Sequence, residues 1–359
     1  MAGSIDDLLK HTGEWLRGTG PVADIVMSSR IRLARNLAKT PFAVRATSQS
    51  RREVQDAVKD AVGRAPGLNG ALMFDLEELT EVDRQCLVER HLVSREFIAE
   101  PEHKSIVIGP DEILALMINE EDHLRIQALQ SGLNLQDAWE LIDGLDDELS
   151  DLLPFAFTND WGYLTCCPTN TGTGMRGSVM LHLPALVMTK QINKMLHTIT
   201  KLGLAARGLY GEGTEATGNF FQISNQVTLG RTEAELIESI ERILRQVIEH
   251  EQNARESLIA NNRVQLEDRI CRAFGIMRHA RTMSSQETLD LLSAVRLGVD
   301  LELMNGLNRS TLNELFLLSQ PAHLQKLEHK TLSARQRDET RARLIRERLD
   351  SPGSGPSIS

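Results

Sequence analysis

The chain predicts an α+β domain followed by an all-helical one, and three observations carry that expectation. Short apolar alternating runs such as KSIVIG, WGYLTCC and FFQISN have the period of two that half-buried strands require. Helical patterns such as AELIESIERILRQVIEHEQNARESLI are interleaved with them, which is the mixture of an α+β body. From about Leu258 the pattern is almost wholly helical, with Leu289, Leu292 and Val295 on one face of a segment and Leu312, Leu315 and Leu318 on one face of the next. In chain order the expected parts are a leader segment of loop and helix at 1–23, an α+β domain at 24–254, a helical domain at 255–350 and a tail at 351–359. The tail, SPGSGPSIS, has no apolar period and is expected to be disordered.

Composition narrows the function classes. A formal net charge of −10 argues against a nucleic-acid coat, which would need a basic surface, but leaves room for a local basic pocket. No apolar run reaches membrane-spanning length, and the start, MAGSIDDLLKHTGEW, is acidic where a secretory leader would be basic and then apolar. A soluble, cytoplasmic protein with no membrane partner is expected. The four cysteines, Cys86, Cys166, Cys167 and Cys271, form neither a disulfide framework nor paired CxxC zinc ligands, and read as reduced thiols.

Common nucleotide motifs are absent. Gly172, Gly174 and Gly177 have GxGxxG spacing, but His197 stands where a ribose-binding acid would fall, and Ser178 where a Walker lysine would. No HRD or DFG triplet of an ordinary protein kinase is present. These glycines read as turns after a strand. The arginines say more: Arg30 and Arg32 sit at strand spacing in SSRIRLARN, so both can point to one face. Arg125, Arg176 and Arg207 each lie in a Gly-, acid- or turn-rich stretch. Each alone suits a solvated surface, yet five guanidinium groups could converge on one triphosphate, which the planar fork binds with paired, charge-assisted bonds. Beside them INEEDHLR places Glu120, Glu121 and Asp122 next to His123 and Arg125.

Four ordered stretches carry a resemblance: Ser28 to Arg32, Asn119 to Arg125, Cys167 to Arg176 and Arg207 to Glu215 are similar to the SxRxR, NEEDHxR, CPxNxGTxxR and RGxxGExTE motifs of the phosphagen (guanidino) kinases. The resemblance covers roughly 24–254. It implies a phosphagen-kinase-like domain, an antiparallel sheet flanked by helices in the glutamine-synthetase-like manner, with ATP and Mg²⁺ as cofactors. The metal would be bound through ATP and by no protein side chain. It further implies that Ser28, Ser29, Arg30, Ile31, Arg32, His91, Arg125, Arg176, Gly177, Ser178, Val179 and Arg207 bind the nucleotide, and that Glu121, Glu212 and Cys167 are catalytic.

The chemistry agrees with such roles. A guanidinium, with a pKa above about 12, is a poor nucleophile until it is held and loses a proton as the phosphoryl group arrives. Glu121 and Glu212 would clamp it, align it and share the role of base. Cys167, among arginines, would orient it as a thiolate. Cys166 reads as a small buried residue, His91 is equally compatible with a structural role, and His123 with local hydrogen bonding.

Departures from the family pattern point to the acceptor. A helical domain normally precedes SxRxR and supplies a loop over the small substrate; here that motif begins at Ser28. The expected pocket is therefore shallow, suited to an arginine side chain on a protein, and together with the added helical domain this resembles the bacterial protein-arginine kinase branch of the superfamily. RDETRA, at Arg337, Asp338, Arg341 and Ala342, is similar to that branch's RDxxRA phosphoarginine-sensing motif; taken alone it reads as a charged, exposed helix. The resemblance also implies protein substrates with exposed arginines, a zinc-binding activator protein, a stress-gene repressor, a Clp unfoldase and protease, and a homodimer or higher homo-oligomer. Two alternatives stand beside it: a kinase of a free guanidino metabolite, and an inactive phosphoarginine-binding module. A DNA-binding role for the helical domain is weakened by Glu328, Asp338, Glu339 and Glu347.

Overall fold

A computed structural model describes residues 4–208 and 216–350; Glu212 and the 351–359 tail lie outside the described residues. The strands are β1 (Val26–Arg35), β2 (Leu72–Asp75), β3 (Ser105–Ile108), β4 (Leu114–Ile118), β5 (Leu124–Ser131), β6 (Phe157–Thr158), β7 (Gly162–Tyr163), β8 (Met175–His182), β9 (Leu204–Gly208) and β10 (Phe220–Asn225). β6 and β7 pair with each other, and the other eight make one sheet in the order β2-β3-β4-β5-β1-β8-β10-β9. Every neighbouring pair in it is antiparallel, so the expected flanked antiparallel sheet is what the chain builds.

Alternation along β1 sorts the sheet into two faces. Ile31 and Leu33, each 0 % exposed, point to the back with their cross-strand partners Ala128, Ile126, Gly177 and Met175. That face is covered by the helices Leu135–Ser150 and Glu233–His279, because a continuous apolar surface must be buried against another. Gly177 is required there: a Cβ would come within 2.8 Å of Ile240 Cδ1, so the helix lies directly on the strand. The front face carries the polar members of β1, β5, β8, β10 and β9.

The helix Glu233–His279 starts at a Thr232–Glu235 capping box, runs on through residues 254 and 255, and is interrupted at Asn262 (φ −140°, ψ 30°). Its buried Glu251 accepts the Ala185 and Leu186 amides and pairs with Arg255, which donates to Asp24. A second buried arginine, Arg296 of the helix Ser285–Asp300, donates to the Ala23 and Asp24 carbonyls and bonds His182 Nδ1, while Ser293 bonds His182 Nε2. The helical region is thus fastened to the sheet by satisfied buried polar groups as well as by a shared apolar core. The segment before β1 is packed in too: Trp15 and Leu16 are buried, Glu14 accepts the Ser131 amide, and Asn313 donates to the Leu16 carbonyl. Among the described residues no helix is long and apolar enough to cross a membrane.

Candidate active site

The register of the central strands places the arginines. Arg32 of β1 lies opposite Arg176 of β8 and Gln127 of β5, Ala34 opposite Arg125, and Arg30 opposite Ser178. Ser178 in turn faces Ser224 of β10, whose neighbour two along, Gln222, faces Arg207 of β9. Directly opposed residues share a face, so all five arginines stand on the front. Ser28 and Ser178 share it. Ser29, Ile31 and Val179 direct their side chains to the back, the face on which Gly177 leaves room for a helix; Ser29 Oγ there donates to the Gly132 carbonyl and accepts the Asn134 amide.

Clustered positive charge gives this face its character. Burial, then Arg125 and Arg176, lowers the Arg30 guanidinium to about 10. Arg32 is pushed well below the ordinary arginine value by burial and by Arg30, Arg125 and Arg176. Arg176 is lowered by burial, Arg207 and Arg125, against which Cys167 acts to raise it. Arg176 Nη2 donates to Ser224 Oγ at 3.2 Å, yet the Nε atoms of Arg32 and Arg176 are buried without a hydrogen-bond partner. Unsatisfied buried donors in mutually repelling cations are what a polyphosphate would relieve, so the residues present fit the triphosphate of ATP. Of the three adjacent carboxylates, Glu120 is committed to Arg125 and Asp122 to Asn36 and the Cys166 amide, which leaves Glu121 as the one open to a cation.

The three adjacent carboxylates face three ways, because Asn119 (φ 62°) turns the chain between β4 and β5. Glu120 accepts from Arg125 Nη1 at 2.6 Å, from Ser94 Oγ and from the Glu121 amide. Burial raises its carboxyl, but Arg125, the Glu121 amide, Ser94 and Arg32 together carry it below the ordinary value. Asp122, 3 % exposed, turns inward, and its Oδ1 accepts Asn36 Nδ2 at 2.6 Å and the Cys166 amide at 2.7 Å. Glu121 is exposed and makes its boundary with open space. Its carboxyl is raised by burial of one side, then by Asp122 and Glu120, with Arg125 opposing. A cavity of about 110 Å³ is lined by Arg32, Arg125 and Arg176 together with Glu120, Glu121, Asp122, Asn170 and Gly174.

Cys167 is half-buried at this rim, its Sγ 3.0 Å from Thr169 Oγ1. Burial and then Asp122 push the Cys166 thiol up to about 12, so it stays protonated. Gly174 closes the turn into β8 with φ +66°, where a Cβ would lie 2.5 Å from Arg35 Nη1 and 2.7 Å from the Ala34 carbonyl oxygen. His123 is a strut: Nδ1 accepts the Leu37 amide, Nε2 donates to the Pro41 carbonyl, and burial lowers its pKa. His91 sits over the front face, because Gln127, in the row of Arg32, donates to its carbonyl at 3.0 Å. Burial, Arg30 and Arg95 lower its imidazole to about 3, leaving it neutral, with its ring edge-on to Trp15.

The RDETRA segment lies on the helix Ala334–Leu349, away from the arginine face. Arg341 is 1 % exposed and donates to the Ser319 and Met283 carbonyls, Ser285 Oγ and Asp338 Oδ1; Ala342 is fully buried. Arg337 and Asp338 are half-buried, and Arg337 Nη1 donates to the Leu332 carbonyl. Sequence reading had no signal for Asn36, Ser94, Gln127 or Ser224. Single polar residues on strands and turns acquire a role only through what folding brings opposite them.

Comparison with known proteins agrees with this geometry. Residues 53–254 match the family described as ATP:guanido phosphotransferase, C-terminal catalytic domain, and 263–356 match the protein-arginine kinase McsB C-terminal domain. The protein-arginine kinase of Desulforamulus reducens is 49 % identical over 94 % of this chain and 96 % of its own. That of Halothermothrix orenii is 48 % identical over 97 % and 99 %. Among solved structures, the duplicated taurocyamine kinase of Schistosoma mansoni, with bound transition-state-analogue components, superposes with a TM-score of 0.59 at 29 % identity over 70 % of this chain. This chain spans only 36 % of that duplicated protein. Lombricine kinase shares the fold, with a TM-score of 0.58 at 24 % identity over 72 % of each chain.

Proposed function

The chain belongs to the ATP:guanido phosphotransferase family and is a phosphotransferase of the protein-arginine kinase type; from that premise we propose how its residues carry out the transfer. The γ-phosphoryl group of ATP passes to a guanidinium nitrogen of an arginine side chain in a protein. The P–N bond forms as the bond from Pγ to the β,γ-bridging oxygen breaks, ADP leaves, and the guanidinium proton passes to a carboxylate. The observation that carries this is the cavity of about 110 Å³ whose lining brings together three arginines and Glu121.

Arg30, Arg32, Arg125, Arg176 and Arg207 hold the triphosphate and the charge that develops on the moving group, since such transfer asks chiefly for positioning and electrostatic stabilisation. Mg²⁺, bound through the phosphates, supplies further neutralisation of their oxygens. Glu121 aligns the acceptor and takes the proton together with Glu212. Its raised pKa strengthens it as a base. Cys167, at the rim, orients the acceptor.

The remaining roles rest on the resemblance of the sequence motifs alone. We assign the enzyme to the cytoplasm, as a homodimer or higher homo-oligomer, answering to a zinc-binding activator protein. Its substrates include a stress-gene repressor and proteins marked for a Clp unfoldase and protease. Arg337 and Asp338, the half-buried pair of RDETRA, take phosphoarginine as an allosteric ligand.

The test is incubation with Mg²⁺·ATP and an arginine-rich protein beside free arginine, with sites mapped at neutral pH because acid cleaves P–N bonds. Phosphate on protein arginine that vanishes in Glu121→Ala and Glu212→Ala supports the assignment. Phosphate on free arginine alone would move the chain to the metabolite kinases.

A further inference from the structure

His91 lines two cavities. One is small and includes Ser28, Arg30 and Ser178 of the arginine face. The other, of about 520 Å³, opens between the catalytic region and the helical region. Val88 and Val93 on one side and Leu289 and Pro321 on the other give it apolar walls, and Gln85 and Gln286 bring amides to it from opposite sides. Glu89, Arg95, Thr217, Ser285 and Gln320 also line it, so the cleft is of ligand size and sets apolar walls beside hydrogen-bonding and charged groups, a mixture that a nucleoside can use.

Its place relative to the arginines fits one ligand. From Arg32 to Ser28 is four residues of β1, about 13 Å at roughly 3.3 Å per residue. That is the reach of a triphosphate and ribose. A nucleotide whose phosphates lie on the arginine face therefore brings its base to His91, with the larger cavity beyond. We infer that the helical region forms the far wall of the nucleotide's base pocket, with Gln286 the group that reads the base edge. This rests on the reading of the chain as an ATP-using kinase, and it adds a contact from a region outside the family's catalytic domain match.

Gln286 is held ready for that task. Its Oε1 accepts Thr217 Oγ1 at 2.8 Å, and its Nε2 donates to Asp290 Oδ2 at 3.3 Å. Asp290 Oδ1 accepts the Gly218 amide at 3.0 Å, which ties the same helix to the segment leading into β10. A primary amide so engaged keeps one N–H and one lone pair, side by side. That is the donor and acceptor pair an adenine edge takes from glutamine. The neutral imidazole of His91 offers a flat, uncharged surface at the pocket's inner side.

The experiment uses the full chain, Gln286→Ala, and Gln85→Trp, which fills the cavity from the opposite wall. Each is titrated calorimetrically with Mg²⁺·ATP, Mg²⁺·GTP and inorganic tripolyphosphate, and steady-state transfer to a protein substrate is measured. Gln286→Ala is expected to raise KM for ATP about tenfold and to remove the preference over GTP, with kcat changed by less than about twofold. Gln85→Trp weakens both nucleotides. Tripolyphosphate affinity stays at the wild-type value in both, because the arginine face is untouched. An active wild type whose two variants keep its ATP KM and base preference overturns the inference alone, as does a loss of tripolyphosphate binding equal to the loss of ATP binding. A wild type that binds neither ATP nor tripolyphosphate removes the kinase reading and this inference with it.

Discussion

Replacing Asp122 tests whether the two catalytic loops are one unit. Its buried Oδ1 is the acceptor shared by Asn36 Nδ2 and the Cys166 amide, so it ties the turn carrying Glu121 to the loop carrying Cys167. Asp122→Ala strands the part-buried Cys166 amide and one N–H of Asn36 Nδ2, whose other N–H keeps the Leu164 carbonyl, so a loss of roughly 2 kcal/mol is expected. Asp122→Asn keeps a carbonyl oxygen in place for both donors and forfeits only charge assistance, about 1 kcal/mol. The charge has a second consequence. Glu121 is raised first by burial and next by Asp122, and a base must be ionised, so activity falls as pH drops through that raised value. Removing the Asp122 charge lowers the Glu121 pKa, and the acid limb of kcat/KM moves to lower pH in Asp122→Asn. Urea unfolding gives the stability differences, and phosphate transfer to a protein substrate across pH gives the limb. Equal stability of all three proteins, or an acid limb that stays put or moves upward in Asp122→Asn, refutes the reasoning.

Arg35→Met should cost about 3–5 kcal/mol by chemical denaturation, since it strands the buried Asp146 that Arg35 holds through Nε and Nη2. Arg35→Met/Asp146→Leu should recover most of that loss; no recovery would mean that the stack of Arg35 on Tyr163, 3.5 Å from its centroid, matters more. Gly174→Ala should lower both stability, by at least about 1 kcal/mol, and kcat, because the new methyl meets Arg35 and the β1 backbone at the cavity wall; wild-type activity and melting temperature would contradict it. Mg²⁺·ATP at a hundredfold excess over its Kd should stabilise the protein by about 2.7 kcal/mol in a thermal unfolding series. Arg176→Met should shrink that gain at equal ATP, as should added salt; an unchanged gain in the variant would take Arg176 out of the phosphate site.

The family's motifs could be recognised in one dimension because each is a local pattern at fixed spacing. Strand alternation alone set Arg30 and Arg32 on one face and Ile31 and Leu33 on the other, and the polar and apolar character of those positions told which face would be buried. The α+β body and its helical continuation were legible for the same reason, since hydrophobic period is a property of the chain itself.

What the tertiary structure decided is everything that depends on pairing across long separations. The strand order puts β5 and β8 on either side of β1 and sets β9 beyond β10, and only that order brings Arg125 and Arg176 beside Arg32 and adds Arg207 to the same face. The run Glu120, Glu121, Asp122 shows no division of labour as a sequence; a left-handed turn at Asn119 aims the first at Arg125, the second at the cavity and the third into the core. An arginine taken by residue type alone belongs at the surface, yet Arg341 and Arg296 are each buried because carbonyls and side chains from distant segments satisfy their donors. A buried charge is stable only where such partners exist, and their presence is a fact of three-dimensional packing that no spacing rule contains.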